Sequence, residues 1–388
     1  MAEFLPRAGR AYTGTRNQDR GPEDRSNVSA LSPWIKRRVL TEAEVIGGVL
    51  KAHGAAASDK FVQEVFWRTY WKGWLEHRPG MLTAFNARRL ALKAQMSVDP
   101  ALRDDYARAT EGRTGIGCFD AWARELRDTG WLHNHARMWF ASIWCFTLKL
   151  PWVLGADFFF KHLVDADAAS NTLSWRWVAG LHTPGKHYLA RADNIRVNTR
   201  DRFDPAGQLN ETASPLADDL PVSALIISNW QPPAMLSCAG RTALLLHDDD
   251  LGIDEAWPLD RVVTVAVLRL PHIADTAGPA ARFADGCAHD AAERASAALS
   301  VPGDVLTADR IADWATSHAV ERIVTPYAPA GLAAWALADL GPKLAERGIA
   351  LHLMIRPWDR AVWPHATRGF FQLKAKIPTF LSSLELFA

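Results

Sequence analysis

The spacing of apolar and polar residues predicts a helical region in the first half of the chain. From Leu31 to about Trp177 the apolar side chains recur with helical periodicity almost throughout, and residues 179–220 are polar and predict a long surface connection. Ser32-Pro33 predicts a helix start with proline in the first turn, and Thr41 with Glu44 predicts a capping box. Further helices are expected over residues 58–76, 82–95, 117–128, 131–148 and 154–178.

After about residue 221 the pattern changes to short β-branched and aliphatic runs separated by alanine-rich helical stretches. The runs are VSALIIS (222–228), TALLLHD (242–248), VVTVAVLRL (262–270), ERIVTPY (321–327) and IALHLMI (349–355). The helical stretches between them cover residues 279–299, 305–318 and 329–347. Buried strands that alternate with helices predict a parallel sheet covered by helices. No glycine-rich phosphate-binding fingerprint follows any of these strands.

These patterns predict an α-helical domain followed by an α/β parallel-sheet, Rossmann-like domain. The expected limits are a polar N-terminal arm over 1–30, the helical domain over 31–200, a linker over 201–220 and the α/β domain over 221–388.

The composition is that of an ordinary soluble protein, with 48% hydrophobic and 22% charged residues among 388. The net charge of +1 predicts no nucleic-acid partner by itself, so such binding would need a local basic patch. Tryptophan is overrepresented, with 17 residues, which indicates large buried surfaces, stacking platforms or electron relays.

Cysteine usage and hydropathy predict a cytoplasmic protein without a metal site. The four cysteines are far apart and form no CxxC pair: Cys118, Cys145, Cys238 and Cys287. The N-terminus lacks the apolar core of a signal peptide. The most apolar stretch, 138–160, is interrupted by Lys149, Pro151 and Asp157, so it predicts a buried helix and no membrane span. We expect a monomer.

Three stretches place polar and aromatic side chains together at helical spacing. Taken singly, each is compatible with amphipathic packing and a solvated polar edge; together, they favour the walls of one pocket. The sets are Glu64, Trp67 and Arg68; His133, Asn134, Arg137 and Met138; and Asp167, Asn171 and Trp175. The HNH triplet at 133–135 has no metal-ligand spacing, and HDDD at 247–250 is expected to be a solvated loop rather than a cation site.

The same stretches resemble a known family. GRTGIGCFDAWARELRDTGWLHNHARMWFASIWCF and PWVLGADFFFKHLVDADAASNTLSWRW are similar to the flavin-binding helical domain of the DNA photolyase and cryptochrome family. VSALSPWI resembles its phosphate-binding segment, and KFVQEVFWRTYW resembles its xFxxELxWRExY helix. The resemblance covers about residues 12–200; Val28 and Ala30 depart from the usual threonine and arginine.

This resemblance implies FAD as cofactor. Ser29, Leu31 and Ser32 would hold its phosphates with backbone N–H groups at a helix start, and Tyr12 would close over them. Asn171 falls where the family places the residue that faces flavin N5, and asparagine there is typical of photolyases. The other implied cofactor-binding residues are Arg68, Asn134, Arg137, Asp165 and Asp167, with Arg137 paired to an aspartate behind the ring.

The resemblance also implies a DNA substrate. The residues that would embrace a cyclobutane pyrimidine dimer are Glu64, Trp67, Asn134, Met138 and Trp177. A protonated Glu64 could donate to the dimer radical. Trp175 and Trp152 match the first two members of a tryptophan chain that reduces the flavin. The third has no counterpart, so either Trp139 or Trp144 replaces it or photoreduction is slow. The implied catalytic residues are therefore Glu64, Trp152, Asn171 and Trp175.

The order of the domains is unexpected for this family. The C-terminal region resembles the antenna domain that usually comes first, which suggests a circular permutation; the alternative is an unrelated α/β domain. Whether this domain binds a second chromophore is left open.

The implied function is light-dependent repair of cyclobutane pyrimidine dimers, with UV-damaged DNA held near basic residues such as Arg113 and His135. The alternative is a cryptochrome-like blue-light photoreceptor that binds FAD without repairing DNA; (6–4) photolyase activity fits less well, because that class relies on paired histidines.

Overall fold

Ten α-helices lie among the described residues of the first 200. The computed structural model describes residues 1–183, 185–218, 220–233, 240–254, 257–270 and 278–386. The helices among the described residues up to 200 are α1 (Arg10–Thr15), α2 (Ser32–Lys36), α3 (Glu42–Glu76), α4 (Gly80–Val98), α5 (Pro100–Thr110), α6 (Gly117–Thr129), α7 (Asn134–Ser142), α8 (Trp152–His162), α9 (Ala168–Ala179) and α10 (Ala192–Asn198).

Local sequence signals explain where these helices begin and bend. The predicted capping box of α3 is confirmed, because the Thr41 hydroxyl accepts from the Glu44 N–H and the Glu44 carboxylate accepts from the Thr41 N–H. Gly54 interrupts α3 with a φ of 72°, a conformation that costs glycine little. After α7 the chain continues through a π-helical turn over Ile143–Thr147.

The expected single helix over 154–178 is wrong, since two helices occupy this stretch. α8 ends at His162, and α9 begins at Ala168. Asp167 is the N-cap of α9, and its carboxylate accepts a hydrogen bond from the Ser170 N–H at 2.6 Å. Aspartate is a strong N-cap because its side chain satisfies a free helical N–H group. Asp165 therefore lies in a loop before the helix.

The second domain contains a five-stranded, all-parallel sheet, which confirms the expected fold class. Its strands are β1 (Thr242–His247), β2 (Val262–Arg269), β3 (Gly303–Thr307), β4 (Arg322–Pro326) and β5 (Ala350–Met354), in the order β3-β2-β1-β4-β5. The helices between them are α11 (Pro279–Leu299), α12 (Ala308–Ser317) and α13 (Leu332–Ala345). The central strand β1 is completely buried, as expected for a sheet covered on both faces.

Two strand assignments from the sequence are wrong. VSALIIS contains a short 3-10 helix over Val222–Leu225, and Ile226 and Ile227 are exposed, so the run does not enter the sheet. The missing strand is Gly303–Thr307, part of which was expected to be helix. It is an edge strand with a polar, half-exposed composition, and so it lacks the continuous apolar run that identifies the buried strands.

The last three helices return to the helical domain. They are α14 (Pro357–Val362), α15 (Phe370–Lys374) and α16 (Ile377–Ser383). Trp358, Phe370 and Phe380 belong to the same apolar core as the first helices. Phe370 stacks on Trp67 of α3, with ring centroids 3.7 Å apart. The C-terminal segment thus completes the helical core around α3.

Buried ion pairs join the sheet to the helical domain. The HDDD segment was expected to be a solvated loop, and this is wrong: Asp248 and Asp250 are buried. The Asp248 carboxylate pairs with Lys36 and with Arg37, whose Nε lies 2.7 Å away. Asp250 pairs with Arg38 and Arg356 at 3.2 and 2.6 Å. Burying these carboxylates is tolerated because each has cationic partners that also donate hydrogen bonds.

The domain limits and the circular permutation stay predictions. The two ends of the described chain lie close together on α3: a methyl group at Gly48 would meet Met1 Cε at 3.4 Å, and one at Gly47 would meet Leu386 Cδ2 at 3.7 Å. Such proximity is the geometric condition for a permuted connection. Among the described residues, no helix combines the length and apolarity needed to cross a membrane.

Candidate functional site

One cavity of about 560 Å³ in the helical domain gathers the predicted site residues. This volume lies within the roughly 300–1,000 Å³ typical of ligand and cofactor sites. Of the residues predicted to bind the cofactor or the substrate or to take part in catalysis, Trp152 does not line it, and neither does His133 of the predicted pocket walls. Those that do are Tyr12, Ser29, Leu31, Ser32, Glu64, Trp67, Arg68, Asn134, Arg137, Met138, Asp165, Asp167, Asn171, Trp175 and Trp177. The structure thus brings together side chains from α1, α2, α3, α7 and α9, whose individual roles remain predictions.

The base of the cavity contains an ion pair between Arg137, which was expected to pair with an aspartate, and Asp165. Arg137 Nη2 donates to Asp165 Oδ2 at 3.1 Å, and its Nε donates to the Leu132 carbonyl at 2.9 Å. Burial alone would raise the pKa of Asp165, but Arg137, Arg68 and a hydrogen bond from Ser32 outweigh it and lower that pKa. Asp165 is therefore an anion at neutral pH. Its Oδ1 has no hydrogen-bond partner among the described residues.

Asp167 is the second buried carboxylate, and it has two cationic neighbours. Lys72 Nζ lies 3.5 Å from Asp167 Oδ2, and Arg68 Nη1 lies 3.9 Å from the same atom. Burial would raise the pKa of Asp167, but these charges and the Ser170 N–H lower it. Sequence reasoning missed Lys72, although it stands four residues after Arg68 on the same face of α3. Its side chain is 1% exposed.

Asn171 presents an amide oxygen for a ligand. Its Nδ2 donates to the Ala156 carbonyl at 2.8 Å, and this bond fixes the orientation of the amide. Since the nitrogen is engaged by the backbone, Oδ1 is the atom left to interact with a group in the cavity. An oxygen at this place can accept a hydrogen bond and cannot release a proton.

Residues 29–32, which were predicted to hold the FAD phosphates, line the cavity. The Leu31 N–H is 3.3 Å from Ser29 Oγ, and Ala30 has a φ of 50°, in the left-handed region. Ser32, in contrast, hydrogen-bonds Asp165, so its hydroxyl also serves the base of the cavity. Tyr12 packs edge-to-face on Phe61 with ring centroids 5.3 Å apart, and it lines the same cavity.

The mouth of the cavity contains an acidic side chain paired with an arginine of the N-terminal arm. Glu64 is 42% exposed, and its Oε1 lies 3.8 Å from Arg16 Nε. Desolvation raises the pKa of Glu64 above its usual value, against the opposing charges of Arg16 and Lys60. Arg16 lines the cavity and was missed, because the arm has no periodic pattern that would place it there.

Aromatic rings flank the same mouth. One face of Trp67 is covered by Phe370, and Trp177 stacks on Tyr188 with centroids 5.8 Å apart. Trp67, Trp177 and Met138 are half-buried, and Asn134 is exposed. The mouth therefore offers apolar surface and polar groups that remain accessible from outside.

Trp175 forms the inner wall, and Gly155 makes room for it. A methyl group on Gly155 would overlap the Trp175 ring and come within 3.0 Å of Trp144 Cε2. α8 and α9 can approach this closely only because the position has no side chain. Trp152 is also buried but stands behind this wall, with Phe85 packed against it at 5.6 Å.

The donor set of this cavity fits a large, polar, planar cofactor such as FAD. Asp165 Oδ1 and Arg68 Nη1 are buried atoms without hydrogen-bond partners among the described residues, and both belong to residues of the cavity wall. Buried polar atoms are seldom left unpaired, so these atoms indicate a polar ligand at the base. The described residues contain no group of three potential metal ligands. The fold and the site define a flavin-binding helical domain joined to a parallel α/β domain.

Comparisons with known proteins agree with this class. Residues 61–243 match the family described as the FAD binding domain of DNA photolyase. The chain is 31% identical over 268 residues to the deoxyribodipyrimidine photo-lyase of Synechococcus sp., covering 67% of this chain and 48% of that protein. The corresponding protein of Vibrio cholerae is 26% identical over 230 residues, which cover 58% of this chain and 48% of that protein. Cryptochrome-1 of Arabidopsis thaliana is 35% identical over 142 residues, which cover 36% of this chain and 20% of that protein.

The chain belongs to the DNA photolyase and cryptochrome family. It spans about half the length of these two photo-lyases and a fifth of this cryptochrome. Photolyases and cryptochromes are both among its relatives. Membership in the family therefore establishes an FAD-binding domain, but it does not decide between DNA repair and another activity.

Proposed function

We propose that this protein repairs cyclobutane pyrimidine dimers in DNA with light and reduced FAD. The supporting observation is the layout of one cavity, in which a buried polar base and an accessible aromatic mouth are continuous. The base has Asp165, Asp167 and Asn171; the mouth has Glu64, Trp67, Asn134, Met138 and Trp177. This is the arrangement needed to hold a cofactor inside and bring a substrate against it.

The residues at the base would bind and orient the cofactor. The Arg137–Asp165 pair presents a fixed anion whose Oδ1 is free to accept a hydrogen bond. Asn171 Oδ1 can accept from a protonated ring nitrogen, which suits a reduced flavin. Bound and reduced, FAD would supply on illumination the electron that opens the cyclobutane ring.

The residues at the mouth would bind a flipped-out pyrimidine dimer. Trp67 and Trp177 offer indole surface for the bases, while Asn134 and Glu64 offer hydrogen bonds to their polar edges. Desolvation raises the pKa of Glu64, which is the direction that a proton-donating carboxyl group requires. Arg16 beside it supplies positive charge for a DNA phosphate. UV-damaged DNA is thus the proposed partner, bound by a monomer.

The decisive experiment is illumination with defined lesions. The purified protein is tested by absorption for FAD, reduced with dithionite, and illuminated with oligonucleotides that carry a cyclobutane dimer or a (6–4) product. We expect repair of the dimer alone, and Glu64→Gln should weaken it, because an amide cannot supply the carboxyl proton. If flavin is bound but no dimer is repaired, the proposed repair activity is wrong and the alternative of a photoreceptor without repair activity is favoured.

A second experiment tests the position of Asn171. Replacing it by cysteine removes the amide oxygen that would accept from the reduced flavin. We therefore expect the Asn171→Cys variant to favour a different flavin redox state in air, read from its absorption spectrum. An unchanged spectrum and unchanged rate of reoxidation would exclude contact between Asn171 and the reactive part of the ring.

A further inference from the structure

The aromatic side chains next to Trp175 form a continuous line to the surface. The Trp175 ring lies 6.0 Å from the ring of Trp144, measured between centroids, and Trp144 lies 6.0 Å from Tyr106. Trp144 is completely buried in the π-helical turn after α7. Tyr106, on α5, is half-buried. The line therefore begins at the cavity wall and ends at a side chain that solvent can reach.

The hydrogen bonds along this line suit the passage of an electron vacancy. Trp144 Nε1 donates to the Pro151 carbonyl at 3.0 Å. A peptide carbonyl is a very weak base, so an oxidised Trp144 would keep its proton and stay ready to take an electron from a neighbour. Trp175 Nε1 is buried and has no hydrogen-bond partner among the described residues, so it too has no group to receive its proton.

Tyr106, at the end of the line, differs from the two tryptophans because it can release a proton when it is oxidised. Burial and the nearby Asp157 carboxylate raise the pKa of Tyr106 to about 12. The phenol therefore carries its proton throughout the neutral range. An oxidised phenol is a strong acid, so Tyr106 would release this proton to water at its half-exposed side. Loss of the proton makes the final transfer hard to reverse.

Trp152, which the resemblance places second in the chain, is the competing route, and one of its ring neighbours is a phenylalanine. Phe85 packs against Trp152 at 5.6 Å between centroids. Phenylalanine is much harder to oxidise than tryptophan or tyrosine, so it cannot pass the vacancy on. The Trp144 branch instead continues to an oxidisable ring.

We propose that Tyr106 is the terminal electron donor for photoreduction of the flavin, acting through Trp144 and Trp175. The proposal rests on the proposed FAD function. Trp175 gives one electron to photoexcited, oxidised FAD; Trp144 then gives one electron to Trp175, and Tyr106 gives one to Trp144. The Tyr106 proton goes to water, which leaves a neutral tyrosyl radical. An external thiol restores the tyrosine by supplying one electron and one proton.

The test compares phenylalanine variants of the flavin-loaded protein by transient absorption and electron paramagnetic resonance. Wild type should yield a tyrosyl radical, with formation slowed in D2O. Tyr106→Phe should lose this signal and show instead a tryptophanyl radical that takes its electron back from the flavin. Photoreduction of this variant in the presence of thiol should therefore be slow. Trp144→Phe should lose both the tyrosyl signal and rapid photoreduction. A tyrosyl radical that persists in Tyr106→Phe would overturn the proposal.

Two further variants define the route. Trp139→Phe is the matched control: Trp139 is a buried tryptophan of α7 stacked on Trp122 at 5.5 Å, off the proposed line. It should behave as wild type. Trp152→Phe should retain the tyrosyl radical; if it abolishes that radical while Trp144→Phe does not, the route runs through Trp152 and the proposal is wrong.

Failure of the proposed function can be told apart from failure of this route. Flavin content is measured first by absorption, and dimer repair is then assayed after reduction with dithionite, which bypasses the route. Tyr106→Phe should repair as well as wild type under these conditions. If no protein repairs dimers but wild type forms the tyrosyl radical, the route stands and the repair activity does not.

Discussion

Removing the guanidinium of Arg137 tests the electrostatics at the base of the cavity. Arg137→Met keeps much of the side-chain length but removes the hydrogen bonds to Asp165 at 3.1 Å and to the Leu132 carbonyl at 2.9 Å. A hydrogen bond to a charged group contributes roughly 1.5–3 kcal/mol and one to a carbonyl about 1 kcal/mol, so the expected destabilisation is about 3 kcal/mol at pH 7. Arg68 remains as a partial counter-charge for Asp165.

The loss of folding stability in Arg137→Met should depend on pH, and its direction follows from the pKa of Asp165. In wild type the lowered pKa of Asp165 stabilises the folded state above the unfolded pKa, and this contribution is lost as the pH falls through the folded pKa. In Arg137→Met, burial dominates and the folded pKa should rise. Stability should then be highest at low pH and decrease as the pH rises through that new value. The difference between variant and wild type therefore grows with pH.

The assay is thermal unfolding of both proteins with saturating FAD from pH 5 to pH 8. The double variant Arg137→Met with Asp165→Asn is the control, because it removes the buried charge together with its partner. It should recover part of the lost stability at pH 8. Equal stability of Arg137→Met and wild type at every pH would refute the assignment of Arg137 as the main counter-charge of Asp165.

Two further predictions concern packing and the interface with the sheet. Gly155→Ala should destabilise the protein by about 1–3 kcal/mol through overpacking against Trp175, and it should reduce flavin content; an unchanged melting temperature would contradict the close approach of α8 and α9. Glu76 accepts from Tyr327 Oη at 2.5 Å, and burial raises its pKa to about 7. Because the folded pKa is raised, its contribution is complete below the unfolded pKa, near 4.3, and is lost as the pH rises through about 7. Wild-type stability should therefore fall relative to Glu76→Gln between pH 5 and pH 8 in thermal unfolding, and parallel curves would show that Glu76 does not titrate there.

The sequence predicted which residues share one cavity better than it predicted the boundaries of the elements. The two-domain fold class and four of the strands could be recognised because buried parallel strands have continuous apolar runs. The edge strand Gly303–Thr307 could not, since half-exposed residues give no such signal. The stripe of Asp167, Asn171 and Trp175 was expected on one helix, and the structure makes Asp167 its N-cap.

Other features depend on contacts between residues far apart in the chain. Lys36 pairs with Asp248 more than two hundred residues later, and local hydropathy makes the latter look like a solvated loop. Phe370 covers one face of Trp67 from the C-terminal helices, which the sequence had assigned to the α/β domain. Periodicity shows which side chains are buried; it does not show which distant element buries them.

Dimer repair by the flavin-loaded, dithionite-reduced protein under blue light tests the central claim most directly. The substrate is an oligonucleotide with one thymine cyclobutane dimer, and the product is undamaged thymine measured by chromatography. The account predicts light-dependent restoration of both thymines, with none in the dark. Protein that contains FAD, binds the oligonucleotide and leaves the dimer intact after illumination would contradict it.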